Sequence, residues 1–180
     1  TRLRDYPVRL TDRLHHWVKA APDRVFMAER DKTGGWRQIT YAQLLTSTRA
    51  IASALLARGL SAEKPIVILS GNSVDHALIA FGALYAGIPF CPVSPGYSLL
   101  SQDHAKLRHV CGLLQPGLVF VSDAPAYQKA LDAVLPADVP VIATRGQAQG
   151  RITLAFEALL GRGELAAADQ AFTATGPDSI

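Results

Sequence analysis

The side chains that could do chemistry in this chain are scattered. Asp12, His15 and His16 are spaced to share one face of a helix, where two imidazoles and a carboxylate would make most of a metal site. No further ligand residue is near in sequence, and a solvated amphipathic face is the plainer reading. His104 and His109 are five residues apart, which puts them on different helical faces. Asp75-His76 could carry acid–base chemistry, yet no G-x-S-x-G elbow adjoins it. Gly82 to Gly87 has the glycine spacing of a phosphate loop, but Ile88-Pro89 stands where Lys-Ser/Thr is needed. Gly161-Arg162-Gly163-Glu164-Leu165-Ala166 matches a dinucleotide fingerprint as letters, but it follows a helix pattern where the fingerprint follows a strand. The residues by themselves therefore assign no catalytic side chain and no metal ligand.

The elements around them are more legible. Residues 80–95 say most: an apolar helix pattern (Phe81, Leu84, Tyr85) stops at Gly87, and a strand pattern begins at once. Gly87 can adopt the left-handed conformation that ends a helix, and Pro89 forbids the helix to resume. Upstream, a helix is expected over residues 10–20 with Leu10, Leu14, Trp17 and Val18 on one face and Thr11 or Asp12 as its cap. Residues 25–30 and 36–39 read as a hairpin around Asp31-Lys32-Thr33-Gly34-Gly35. Thr40 and Gln43 have capping-box spacing, opening a helix that stops at Gly59.

An alternation follows. Strands are expected at 66–69, 88–93, 118–121 and 139–143, and helices at 74–86, 101–114, 123–135 and 153–160. Strands alternating with helices imply parallel β-α-β units with right-handed crossovers. The expected fold is α/β: a mostly parallel sheet flanked by helices, preceded by a helix and β-hairpin, spanning residues 1–161. Residues 162–180 show little apolar periodicity and read as a linker.

Composition bounds the partners. The chain has 180 residues, 49% hydrophobic and 18% charged, with a net charge of +3. So mild a charge argues against nucleic acid, and the thin cluster Arg2, Arg4, Arg9 and Arg13 reads as a solvated face. Cys91 and Cys111 sit in apolar company as buried free thiols, without metal-ligand spacing. No apolar run approaches a membrane span, and TRLRDYPVRL lacks the apolar core of a signal peptide. A cytoplasmic protein is the expectation.

Two longer signatures carry a family resemblance. Trp36-Arg37-Gln38-Ile39-Thr40-Tyr41-Ala42-Gln43-Leu44 resembles the "hydrophobic-Thr-Tyr-x-x-Leu" element of the adenylate-forming superfamily of acyl- and aryl-CoA ligases, luciferases and peptide-synthetase adenylation domains. Leu84-Tyr85-Ala86-Gly87-Ile88-Pro89-Phe90-Cys91-Pro92-Val93 resembles its "Lys-Ala-Gly-x-x-Tyr-x-Pro" element, with Tyr85 in place of Lys and Phe90 in place of Tyr. Asp5-Tyr6-Pro7, Ala21-Pro22-Asp23-Arg24, Phe26-Met27-Ala28-Glu29-Arg30 and Pro92-Val93-Ser94-Pro95 most resemble feruloyl-CoA synthases and related aryl- or fatty-acid–CoA ligases.

The resemblance implies the N-terminal part of a longer ligase using ATP, Mg and CoA. The Ser/Thr/Gly-rich phosphate loop would come just after Thr175-Gly176-Pro177-Asp178-Ser179-Ile180. It implies that the 180 residues need no cofactor of their own and are inactive alone. The remainder of the same polypeptide is then the main partner, a carboxylic acid the substrate, and an exposed docking face would favour homo-oligomers. It also implies a CoA-side contact at Pro95, Gly96 and Lys129, with Ser94 and Tyr97 as weaker members; the plainer reading is a Pro-Gly turn and a solvated lysine. A long-chain fatty-acid–CoA ligase, a stand-alone non-catalytic module of the same fold, and an unrelated flavodoxin-like domain are the alternatives.

Overall fold

Four consecutive apolar residues, Ile66 to Leu69, need cover on both faces, and they lie inside a sheet that provides it. The computed structural model describes residues 6–31, 33–161, 163–177 and 179. Arg2 and Arg4 of the basic cluster, Asp5, Lys32 of the hairpin turn, Arg162 of the fingerprint-like run, Asp178 and Ile180 lie outside these. In chain order the elements are α1 (Asp12–Ala20), β1 (Val25–Arg30), β2 (Trp36–Thr40), α2 (Tyr41–Leu56), β3 (Ile66–Leu69), α3 (Val74–Ala86) and β4 (Phe90–Pro92). Then come α4 (Gly96–Leu99), α5 (Ala105–Leu114), β5 (Leu118–Val121), α6 (Ala124–Val134), β6 (Val141–Ala143), β7 (Thr153–Ala155), a 3-10 turn (Phe156–Leu159) and α7 (Leu165–Ala174).

The sheet is five-stranded in the order β4-β3-β5-β6-β7, with every neighbour parallel. Alternate residues face opposite layers. Ile66, Ile68, Leu118, Phe120 and Ile142 pack on one side with α2, α3 and α7 residues. Val67, Leu69, Val119, Val121 and Val141 pack on the other with Leu107 and Cys111 of α5 and Tyr127 and Leu131 of α6. The hairpin β1-β2 is antiparallel and separate, with Met27 and Ile39 turned toward the first layer. The expected α/β architecture is thus observed.

Local signals hold where the chain states them locally. Thr40 and Gln43 form the full capping box of α2. Gly87 ends α3 at φ +68°, and Ile88 N–H returns to the Ala83 carbonyl. Asp123 caps α6, with Pro125 in its first turn.

Four expectations are corrected. The helix over 101–114 begins only at Ala105. Asp103 accepts from the Ala105 N–H, Ser101 Oγ accepts from the His104 N–H, and His104 sits at φ +52°, so the local side-chain bonds break the run. Residues 153–160 are not one helix: Thr153–Ala155 pairs with β6 as a fifth strand, and only Phe156–Leu159 turns, as 3-10. Leu10 precedes α1 and is exposed, and Thr11 stands at the N-cap without a side-chain cap bond. Residues 162–180, read as linker, contain α7. Its interface is built from Ala168 and one aromatic ring, Phe172, together with polar groups, so apolar periodicity does not reveal it.

Candidate functional site

In a parallel sheet, a crevice opens where adjacent strands send their connections to opposite faces. Here those strands are β3, which leads to α3 in one layer, and β5, which leads to α6 in the other. The carboxyl ends of β3, β5 and β6 bring Ser70, Asp75, His76 and Thr144 together, and the hairpin adds Glu29 and Arg37.

Asp75 lies in the first turn of α3, where a carboxylate suits the helix dipole. Its side chain is 5% exposed. Arg37 Nη2 stands 2.7 Å from Asp75 Oδ1, and Thr144 Oγ1 donates to Asp75 Oδ2 at 2.9 Å. Arg37 also pairs with Glu29 Oε1 at 3.2 Å, and Glu29 Oε2 accepts from the Val74 N–H at 2.8 Å. The paired carboxylates, Asp75 first, hold the Arg37 guanidinium above its ordinary pKa against the opposing pull of desolvation, itself the largest single influence. Ser70 Oγ is 2.8 Å from His76 Nδ1, which also lies 3.2 Å from the Gly71 carbonyl.

The members of this network are paired with one another. Ser70 is buried, and among the described residues no carboxylate bonds the imidazole of His76 as a nucleophile–base–acid relay would require. A cleft of about 210 Å³ beside it is bounded by Met27, Ala28, Glu29, Asn72, Ser73 and Val74. Arg145, at the end of β6, is paired with Asp123. The cations at this edge are therefore engaged with carboxylates, and the arrangement joins hairpin, helix and sheet.

The CoA-side residues fall on the next corner. Pro95 and Gly96 open α4, whose four residues pack against α6, and Lys129 is an exposed residue of α6. Lys129 makes no hydrogen bond or ion pair with another described residue, as is ordinary for an exposed lysine. Gly96 has neither positive φ nor a crowded Cβ position, the nearest atom being Ser94 Oγ at 3.6 Å, so no local strain demands glycine there. Tyr97 carries the Lys106 ammonium 5.1 Å from its ring centroid.

The Asp12, His15 and His16 grouping resolves differently. His15 turns toward Tyr85 and Phe172, with Nε2 at 3.3 Å from Tyr85 Oη, while His16 stacks edge-on against Trp17. Among the described residues, no three His, Cys, Asp or Glu side chains lie close enough to hold a metal ion. None of the described helices is long and apolar enough to cross a membrane.

Sequence reasoning missed the Asp75–Arg37–Glu29–Thr144 network. A carboxylate placed one turn after an all-apolar strand was the available signal, but its partners come from 38 residues upstream and 69 downstream of it.

The sequence model of the AMP-binding enzyme family matches residues 14–172. The chain belongs to that family. Among its relatives, the indoleacetate–CoA ligase of Aromatoleum aromaticum is 31% identical over 128 residues, which is 70% of this chain and 23% of that protein. The L-2-aminoadipate reductase large subunit of Eremothecium gossypii is 27% identical, over 69% of this chain and 9% of that protein. The chain thus spans under a quarter of the length of these curated relatives. Its fold is shared with the luciferase-like enzyme of the nonluminescent mealworm Zophobas morio (TM-score 0.68, 18% identity, all of this chain and 39% of that one). It is shared as well with the fatty acyl-adenylate ligase of L. pneumophila (TM-score 0.61, 19% identity, 89% and 24%).

Proposed function

We propose that these residues form the N-terminal part of an ATP-dependent acid–CoA ligase. Such an enzyme joins a carboxylate to AMP with loss of pyrophosphate, then transfers the acyl group to the CoA thiol with loss of AMP. The observation that carries this reading is the family match over residues 14–172. The hydroxycinnamate class, ferulate in particular, is the proposed substrate. It is supported by the sequence resemblance and by a relative whose named substrate is an aryl-bearing acid, indoleacetate. A long-chain fatty acid is the second reading, favoured by the shared fold with a fatty acyl-adenylate ligase.

Activation of a carboxylate by ATP needs neutralised phosphate charge and a held nucleophile. The cations described at the sheet edge are already paired, so ATP and Mg would be held by residues of the longer polypeptide. The packed body runs through Ala174, and the segment after it leads to the nucleotide site. CoA approaches Pro95, Gly96 and Lys129. The enzyme acts in the cytoplasm.

The test compares two proteins given ATP, Mg, CoA and ferulate. The 180-residue chain alone is expected to release no pyrophosphate, and the longer polypeptide carrying it is expected to form feruloyl-CoA. Thioester formation by the short chain would overturn the division of labour. A long form that activates palmitate and leaves ferulate untouched would replace the substrate. In the long form, Lys129→Ala should raise the KM for CoA by roughly tenfold, the worth of one charge-assisted contact, and spare pyrophosphate release. An unchanged KM removes Lys129 from the site.

A further inference from the structure

One side chain near the start of the chain grips the end of its last helix. Arg9 Nε donates to the Thr175 carbonyl at 2.8 Å and to Thr175 Oγ1 at 3.1 Å, and Nη2 donates to the Thr173 carbonyl at 2.9 Å. Its guanidinium lies 4.8 Å from the centroid of the Phe172 ring, and Nη1 faces Asp12 Oδ1 at 3.5 Å. The last carbonyls of a helix have no partner within it, and they favour a cation. Arg9 supplies both needs with a planar fork that lysine cannot copy.

Thr175 is also confined from the other side. A Cβ on Gly87 would stand 2.8 Å from Thr175 Cγ2, so the absence of a side chain at Gly87 lets the segment pass. Beyond it, the Gly176 N–H donates to Ser179 Oγ at 2.9 Å, and the Ser179 N–H donates to the Gly176 carbonyl at 3.1 Å. This turn lines a cleft of about 390 Å³ with Arg9, Gly87, Pro89 and Phe90, at the amino end of β4.

We propose that Arg9 is a positioning residue: by clamping Thr173 and Thr175 across Gly87, it sets the course of the chain from α7 into the nucleotide-phosphate loop. This rests on the ligase reading above, which puts that loop next in the chain. Arg9 touches no reacting atom. It acts on where the phosphate-binding backbone begins, and a shift of about 1 Å there costs an adenylating enzyme on the order of 100-fold in rate.

The experiment has two arms. In the 180-residue chain, amide exchange is followed at Gly176 and Ser179 against the β3 amides of residues 66–69 as internal reference. Arg9→Ala and Arg9→Lys are both expected to speed exchange at Gly176 and Ser179 at least about tenfold with β3 unchanged, because the fork holds the segment and charge alone does not. Equal exchange in wild type and Arg9→Lys would overturn the clamp. So would acceleration spread evenly over β3, which marks general destabilisation. In the longer polypeptide, Arg9→Lys is expected to cut kcat for ferulate-dependent pyrophosphate release at saturating ATP about tenfold or more, with the KM for the acid within about twofold. A wild-type long form that releases no pyrophosphate fails the ligase reading. A wild-type form that does, with Arg9→Lys equal to it, fails this inference alone.

Discussion

Among the described residues two arginine–carboxylate networks stand at opposite ends of α3, and their aspartates differ in how much water reaches them. Asp75, at the start of α3, is 5% exposed and bonded by Arg37 and Thr144. Asp169 of α7 is 43% exposed; Arg49 Nε donates to its Oδ1 at 2.8 Å, and Tyr85 Oη, from the last turn of α3, donates to the same oxygen at 3.0 Å. Burial and this bond push the Tyr85 phenol up to about 12. The chemistry around the two aspartates is alike, one guanidinium and one hydroxyl each, with Glu29 as a second carboxylate on Arg37. The setting decides their weight. Water reaches the Asp169 carboxylate directly, whereas the Asp75 carboxylate is shut from it, although its partners Arg37 and Thr144 are themselves exposed. The first network joins three layers at the carboxyl edge of the sheet, and the second docks a single helix on α2 and α3.

The comparison can be broken most directly at Asp75. Asp75→Ala should destabilise the chain by about 1–2 kcal/mol, because it removes the ion pair with Arg37 and the hydrogen bond from Thr144 that tie hairpin and sheet to α3, while exposed Arg37 keeps Glu29 and Thr144 turns to water. Denaturant unfolding measures this. A loss no greater than that of Asp169→Ala would erase the distinction.

Asp169→Ala should cost about 1 kcal/mol, since an exposed pair gains little and Tyr85 loses one acceptor. The hydrogen bond from Arg49 holds the Asp169 carboxyl below its ordinary 3.8. Its contribution is therefore present above that pH and lost as pH falls through the folded-state value, so the variant should show a flatter acid limb of Tm against pH.

The smallest effect belongs to His15, whose ring lies tilted against Phe172 with centroids 4.9 Å apart. Burial lowers its pKa from 6.5, against the raising influence of Asp12 and Asp169 and with Arg49 and Lys19 acting in the same direction as burial. Folding then favours the neutral imidazole. The stability it contributes is full above 6.5 and declines as pH falls through 6.5 toward the lower folded value. His15→Gln should flatten the stability profile as pH falls below 6.5. A steeper profile in the variant would mean that the charged form is the one the site prefers.

The parts legible in the sequence are those whose cause is local. Ile66 to Leu69 announces a strand covered on both faces; Thr40 with Gln43, Gly87 with Pro89, and Asp123 with Pro125 each mark an element boundary within a few residues. The family resemblance rested on the same local runs, and the family match bears it out. What escaped has distant causes. Thr153–Ala155 is a strand because β6 lies beside it with a free edge. Residues 165–174 are a helix whose inward side is Ala168, Phe172 and a charge paired with Arg49, 120 residues away. Of the candidate site, Asp75 and His76 were visible as residues but not as a network, since Arg37 and Thr144 reach Asp75 only once hairpin and sheet are assembled.

The sequence by itself determined the alternation of strands and helices, the passage through Gly87 and the family, because hydrophobic period, caps and backbone freedom act over one or two turns of chain. Only the tertiary structure decided which charges meet. It placed Arg37 on Asp75, Arg49 on Asp169 and Arg9 on Thr175, because a guanidinium finds its acceptors by proximity in space, and proximity across 38 to 166 residues is a property of the packed layers.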